Sequence, residues 1–221
     1  LTDSTVVLRC GAAIGFGVGP LLLAASPDTT PDSVQTSVTM CPGQHTTAAM
    51  LMQIFYADAI GAGRTTIEHG LFSDIMPALE SGSADFGVCI HEGRFVWESR
   101  GLALVEDLGT RWEQETGGPL PLGGILASRS LDDATIRQVQ SVIRESIEFA
   151  RADPSAALAT MRRYADELDD DVLMQHVDLY VNDRTVDLGT IGTEALIECF
   201  NRAQAAGLVA ENPRPIEIVR E

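Results

Sequence analysis

A histidine at the end of an apolar segment is the residue of this sequence best suited to proton transfer. His91 follows the segment FGVCI at 86–90 and is followed by Glu92 and Gly93. An apolar run that ends on histidine and glycine predicts a buried strand that carries an imidazole into a loop. Histidine takes or gives a proton near neutral pH, so His91 is a candidate general base. The structural alternative is a strand-end histidine that donates to a backbone carbonyl.

Two charged residues flank this histidine. Glu92 could orient the imidazole, but adjacent residues of a strand point to opposite faces. Arg94 lies two residues further and could pair with Glu92 or with a substrate. We expect both side chains to form surface ion pairs instead.

A second candidate lies where the segment PGQHTT at 42–47 turns into a predicted helix. The start of a helix offers backbone N–H groups and the positive end of the helix dipole, and Thr46 and Thr47 add two hydroxyls. This combination predicts an anion site. The alternative is that Thr46 only caps its own helix, and both can hold if one threonine caps while the other faces a carboxylate.

Closely spaced glycines form a third candidate, in the segment GFGVG at 15–19. The segment lacks the lysine and the Ser/Thr of a P-loop, and its spacing does not fit the dinucleotide fingerprint. Close backbone packing is one interpretation. The other is that Gly15 and Gly17 line a ligand cleft.

Covalent and metal chemistry have little support in the sequence. There is no G-x-S-x-G elbow, and Cys89 lies inside the apolar segment rather than on a turn. The four cysteines form no C-x-x-C pair, and the four histidines form no H-E-x-x-H motif. We therefore expect reduced thiols in a cytoplasmic protein, without a metal site.

The charge of the chain limits its partners. Its 221 residues include 15 basic residues, all arginine, and 32 acidic residues, for a formal charge of −17. Such a chain repels nucleic acid and anionic membranes. No apolar run reaches the ~20 residues of a membrane span. A small molecule is thus the expected partner, and the sequence leaves the oligomeric state open, a homodimer included.

Strand-like and helical segments alternate up to about residue 127, and helical segments dominate from residue 131. This alternation predicts an α/β architecture. The loop-rich borders near Ser33 and Leu122 suggest two lobes, one made of 1–34 and 122–221 and the other of 35–121. A cleft between such lobes is the default ligand site. Because a strand-like segment begins already at Thr5, we expect that an amino-terminal segment is missing here.

Together these motifs resemble one family, the 1,4-dihydroxy-6-naphthoate synthases of the futalosine route of menaquinone biosynthesis. The most specific matches are IHEGRF at 90–95 and PLGGI at 121–125. Other matches are GFGVGP at 15–20, PG at 42–43 with TTA at 46–48, DIMPAL at 74–79, GL at 101–102, DLG at 107–109, WE at 112–113, YVN at 180–182 and DLG at 187–189.

The resemblance implies a two-lobed, type II periplasmic-binding-protein-like fold that is used as an enzyme. The implied reaction converts cyclic dehypoxanthinyl futalosine to 1,4-dihydroxy-6-naphthoate, with release of a small carbohydrate-derived fragment and without a cofactor. The substrate is then an aromatic carboxylate. The catalytic histidine of the family falls on His91, and its substrate-binding threonines fall on Thr46 and Thr47.

One departure and three alternatives accompany this interpretation. Members of the family carry an amino-terminal strand and loop ahead of the present Leu1. The alternative functions are chorismate dehydratase, the sister activity of the same route and fold, and a solute-binding protein that only captures an anion. An inactive fragment is the third alternative.

Overall fold

The computed structural model describes residues 2–91, 93–164, 170–209 and 213–219. The chain forms two compact units. Leu1–Val18, Gly118–Phe200 and Glu211–Glu221 make the first unit, and Gly19–Gly117 with Asn201–Ala210 make the second. The flanking Glu92 lies outside the described residues, so the expectation for its side chain stays a prediction.

A five-stranded mixed sheet forms the centre of the second unit, with the strand order β5-β4-β6-β3-β7. The strands are β3 (Leu21–Ala24), β4 (Val38–Pro42), β5 (Thr66–Gly70), β6 (Phe86–Cys89) and β7 (Ala103–Asp107). Strand β4 pairs in parallel with β5 and β6, whereas β3 is antiparallel to both β6 and β7. Four of the strands therefore run in one direction, and β3 runs against them.

This topology places the carboxyl ends of β4, β5, β6 and β7 and the start of β3 along one side of the sheet, which we call the carboxyl edge. Pro42 lies opposite Gly70 at the ends of β4 and β5. Leu21, the first residue of β3, lies opposite Cys89 of β6 and Asp107 of β7. Loops that follow β4 and β6 consequently leave the sheet side by side, because neighbouring strands are only ~4.8 Å apart.

Helices cover this sheet, and those that directly follow β4, β5, β6 and β7 begin at the carboxyl edge. They are α1 (Thr47–Phe55), α2 (Ala57–Gly61), α3 (Phe72–Ser81), α4 (Gly93–Val96) and α5 (Leu108–Thr116), with a 3₁₀ turn at Glu98–Arg100. The spacing of Ile75 and Leu79 gives α3 one apolar face, which packs against Leu21, Leu23 and Cys89. Phe86 and Val88, which alternate with Gly87 and Cys89 along β6, are also fully buried and point to the opposite face of the sheet.

The first unit contains two short antiparallel ribbons and a set of helices. Strand β1 (Thr5–Val7) pairs with β9 (Leu126–Ser128), and β2 (Ala13–Gly15) pairs with β8 (Leu120–Gly123). The helices are α6 (Asp133–Ala152), α7 (Pro154–Tyr164), α8 (Asp170–Tyr180), α9 (Asp183–Val186) and α10 (Gly189–Ala205). None of the described helices combines the length and apolar composition that crossing a bilayer requires.

The α/β prediction is confirmed, but the boundaries between the units differ from the expected ones. The first boundary lies before β3 instead of near Ser33, because Leu21–Ala24 forms the central strand between β6 and β7. The second lies at Gly117–Gly118, ahead of Leu122, since β8 pairs with β2 of the first unit. Residues 201–210 join the second unit, where Arg202 forms an ion pair with Glu115.

Candidate active site

Thr46 lies in the loop after β4 and is the N-cap of α1. Its hydroxyl accepts a hydrogen bond from the N–H of Ala49 at 3.2 Å and lies 2.6 Å from the carbonyl oxygen of Pro42. Gly43 adopts a left-handed φ of +63°, which turns the chain sharply between strand and helix. The capping interpretation of Thr46 is therefore confirmed, and its hydroxyl is occupied within the loop.

Thr47 is the first residue of α1, and its side chain is half-buried. The first-turn N–H groups of a helix have no partner further back in the helix, and the positive end of the dipole lies there. No acidic side chain occupies the first turn of α1 to neutralise it. This end of α1 can thus attract a carboxylate, with Thr47 as a neighbouring donor.

His91 follows β6 at the same edge of the sheet, and its side chain is exposed. Its backbone φ of +53° makes it the one non-glycine residue in the left-handed region within the described residues. Such a conformation costs about 1–3 kcal/mol and persists only where the surroundings impose it. Strain of this kind is concentrated at functional sites, which supports a chemical role for this histidine.

The imidazole of His91 packs against an aromatic ring. Phe72, the first residue of α3, meets it edge to face, with 5.6 Å between ring centroids and an interplanar angle of 71°. Within the described part of the chain no carbonyl accepts a hydrogen bond from this imidazole. The ring of Phe72 therefore packs against an imidazole whose residue is otherwise exposed.

A pocket of about 200 Å³ lies beside His91, between α3 and α4. Its lining combines polar and apolar surface in about equal parts and comprises Phe72, Ser73, Met76, Cys89, Ile90, Gly93, Val96 and Arg100. Burial raises the pKa of the Cys89 thiol to about 12, so the thiol stays protonated at neutral pH. A protonated thiol is a poor nucleophile, so Cys89 is not a candidate for covalent chemistry in this pocket.

Arg94 forms an ion pair that is more buried than the surface pair expected from the sequence. Its Nη2 lies 2.9 Å from Oδ2 of Asp107 at the end of β7, and the two side chains are only 15 % and 23 % exposed. Its Nη1 donates to the carbonyl oxygen of Gly19, just before β3. The arginine therefore ties the residues around His91 to two other strand ends.

Gly15 and Gly17 belong to the first unit, whereas His91, Thr46 and Thr47 belong to the second. Gly15 ends β2 and is buried, and a Cβ there would lie 3.1 Å from the side chain of Val18. Gly17 has a φ of +68° and open space around it. Close packing accounts for Gly15 and a tight turn accounts for Gly17, while their contact with a ligand stays a prediction.

Two features of the site were missed by the sequence reasoning. Phe72 was not singled out, because it follows β5 whereas His91 follows β6, and a contact between two separate loops leaves no local pattern in the sequence. Asp107 was noted only as part of a motif, although an aspartate directly before a helical segment is a signal for an N-cap. In the structure its Oδ1 accepts from the N–H groups of Gly109 and Thr110 at 2.9 and 3.0 Å.

The chain is similar to a protein family and to named proteins. Residues 1–205 match the profile of a family described as menaquinone biosynthesis. A Thermus thermophilus protein named 1,4-dihydroxy-6-naphthoate synthase is 41 % identical over 214 residues, which are 97 % of this chain and 75 % of that protein. A Streptomyces coelicolor protein of the same name is 38 % identical over 207 residues, 94 % of this chain and 72 % of that protein.

Solved structures show the same architecture. Protein AF1704 from Archaeoglobus fulgidus superposes with a TM-score of 0.81 at 29 % identity and covers 94 % of this chain and 75 % of its own. The aliphatic sulphonate binding protein SsuA from Escherichia coli has a TM-score of 0.57 at 15 % identity, covering 98 % and 71 %. The predicted periplasmic-binding-protein-like fold is confirmed, and the chain belongs to the menaquinone biosynthesis family.

Proposed function

We propose that this protein is a lyase that converts cyclic dehypoxanthinyl futalosine to 1,4-dihydroxy-6-naphthoate, with His91 as the general base. The observation that supports this most is the exposed imidazole at the carboxyl edge, on a left-handed backbone and in edge-to-face contact with the ring of Phe72. The names of the two relatives support the reaction and its place in menaquinone biosynthesis.

The reaction releases a fragment and makes a ring aromatic, so a proton must leave a carbon atom. A neutral imidazole nitrogen of His91 accepts this proton, and a positioned base of this kind contributes about 10²–10⁴-fold to the rate. The contact with Phe72 restricts the orientation of the imidazole. Because the side chain is exposed, the imidazolium returns its proton to solvent after the product leaves.

The carboxylate of the substrate binds at the start of α1 in this proposal. Thr46 shapes this end of the helix by capping it, and Thr47 with the first-turn N–H groups contacts the anion. The helix dipole adds about 0.3–1 kcal/mol, and up to ~2 kcal/mol when the site is partly buried. These local dipoles act at short range, so they can attract an anion although the net charge of the chain is −17.

We propose a cytoplasmic location for the reaction. The four cysteines, Cys10, Cys41, Cys89 and Cys199, are free thiols. Unpaired cysteines are typical of a reducing compartment. A homodimer and the absence of nucleic-acid partners stay predictions, and light scattering together with a nucleic-acid shift assay tests them.

Incubation of the protein with cyclic dehypoxanthinyl futalosine, followed by mass spectrometry, tests the proposed function. We expect a new ion with the mass of 1,4-dihydroxy-6-naphthoate and loss of this product in His91→Asn. Chorismate serves as the parallel substrate, and its conversion would identify a chorismate dehydratase instead. Binding of the futalosine derivative without any product would favour a solute-binding protein.

A further inference from the structure

We propose that Arg94 and Asp107 form a clamp that positions His91, and that Arg94 acts through His91 rather than by binding the substrate. This inference rests on the proposed role of His91 as base. An arginine close to the reacting histidine of an enzyme for an anionic substrate would ordinarily be assigned to the substrate carboxylate. The contacts of this arginine point to a different role.

Both ends of the Arg94 guanidinium are engaged within the protein. Nη2 donates to Oδ2 of Asp107 at 2.9 Å, and Nη1 donates to the carbonyl oxygen of Gly19. The pair is largely shielded from water, with side-chain exposures of 15 % and 23 %. Asp107 neutralises the positive charge, so a substrate carboxylate would have to displace a partner that is already buried.

The backbone of Arg94 is linked directly to the strained histidine. Its N–H donates to the carbonyl oxygen of His91 at 3.1 Å, and the N–H of Gly93 donates to that of Ile90 at 3.1 Å. These two hydrogen bonds form a turn at 90–94. Strand β6 holds the chain before the turn, and the clamp holds Arg94 at its end. Without the clamp, the left-handed φ of +53° at His91 would be imposed from one side only.

Asp107 has two tasks that a single substitution can separate. Its Oδ1 caps α5 through the N–H groups of Gly109 and Thr110, whereas its Oδ2 receives Arg94. Asparagine is as good an N-cap as aspartate. Asp107→Asn therefore keeps the cap through its carbonyl oxygen but places an NH₂ donor against the guanidinium, which removes the clamp.

Steady-state kinetics of Arg94→Met and Asp107→Asn test the clamp. A base displaced by about 1 Å can lose ~10²-fold in rate, so we expect kcat to fall by about that factor in both variants, with KM nearly unchanged. The matched control is Arg111→Met, which removes ion pairs with Glu106 and Glu115 in the same unit and should leave kcat unchanged. An increase in KM at constant kcat would show that Arg94 binds substrate, and unchanged kinetics would also overturn the clamp.

A double-mutant cycle separates this proposal from the proposed function. If Arg94 acts through His91, adding Arg94→Met to His91→Asn causes no further loss of residual turnover. A full ~10²-fold further loss would contradict the clamp while leaving the base intact. Wild-type turnover in His91→Asn alone would contradict the base, and the clamp is then decided by the spectroscopic measurement below.

Histidine resonances provide a measurement that does not depend on activity. The chain has four histidines, so ¹⁵N-histidine labelling gives a spectrum in which His91 is identified by its loss in His91→Asn. We expect Arg94→Met to shift the His91 signals and to leave those of His45, His69 and His176 in place. A spectrum of Arg94→Met identical to that of the wild type would refute the clamp.

Discussion

Gly109→Ala tests whether the start of α5 packs as tightly against Gly19, a contact residue of the clamp, as the structure indicates. A Cβ at position 109 would lie 2.5 Å from the Cα of Gly19 and 2.8 Å from its backbone nitrogen. Ordinary contacts between carbon atoms are about 3.5–4.0 Å long. The start of α5 and the segment before β3 would therefore have to separate by about 1 Å, because neither contact atom can rotate away.

The magnitude follows from two opposing terms. Glycine to alanine inside a helix normally stabilises a protein by about 0.5–1 kcal/mol. Overpacking against backbone costs about 1–3 kcal/mol, so we expect a net loss of roughly 0.5–2 kcal/mol in the free energy of unfolding. Gly19 also supplies the carbonyl that Arg94 contacts, so kcat should fall together with stability.

Urea denaturation of Gly109→Ala and of Gly61→Ala provides the measurement and its matched control. Gly61 also lies in a helix, α2, but a Cβ there meets no atom within 4 Å. We expect Gly61→Ala to stabilise the protein and Gly109→Ala to destabilise it. If both substitutions stabilise the protein equally, the close approach of Gly109 to Gly19 is refuted.

Three further predictions concern other parts of the two units. Asp187→Asn should lower the free energy of unfolding by about 1–2 kcal/mol at pH 7. The hydrogen bond from Arg9 holds the pKa of Asp187 below its usual value, so the difference between wild type and variant shrinks as the pH falls through that lowered pKa. Equal losses at pH 7 and pH 3 would contradict this prediction. Thr46→Val should lower the free energy of unfolding by about 1 kcal/mol through the lost cap, whereas Thr47→Val should raise KM with little change in stability. The reverse result would make Thr47 the residue that stabilises α1 and Thr46 the one that contacts the substrate. Phe72→Leu should lower kcat about 2–10-fold, which corresponds to the ~0.5–1.5 kcal/mol of an aromatic contact, and unchanged kinetics would show that the contact with His91 is idle.

The sequence predicted the local features of the site well. The apolar segment 86–90 indicated β6 and the exposed loop at its end, because a buried strand has a pattern that can be seen within a few residues. The segment PGQHTT indicated the start of α1, and Thr46 caps it as expected. Both features depend on short-range geometry, which local sequence controls.

The sequence could not predict contacts between distant segments. The place of Leu21–Ala24 between β6 and β7 depends on pairing with strands that lie far along the chain. For the same reason the unit boundary was placed near Ser33. The partner of Arg94 was missed because the pairing of β6 and β7 with β3 is what brings Asp107 close to Arg94. The left-handed backbone of His91 was hidden because a glycine, the usual marker of that conformation, follows two residues later.

Single-turnover formation of the naphthoate by His91→Asn tests the central claim most directly. Asparagine tolerates the left-handed backbone at this position, so the variant should fold and bind the futalosine derivative as the wild type does. We predict that the rate of product formation falls by about 10²–10⁴-fold while the equilibrium dissociation constant changes little. A variant that binds the substrate and forms the product at the wild-type rate would contradict the assignment of His91 as the base.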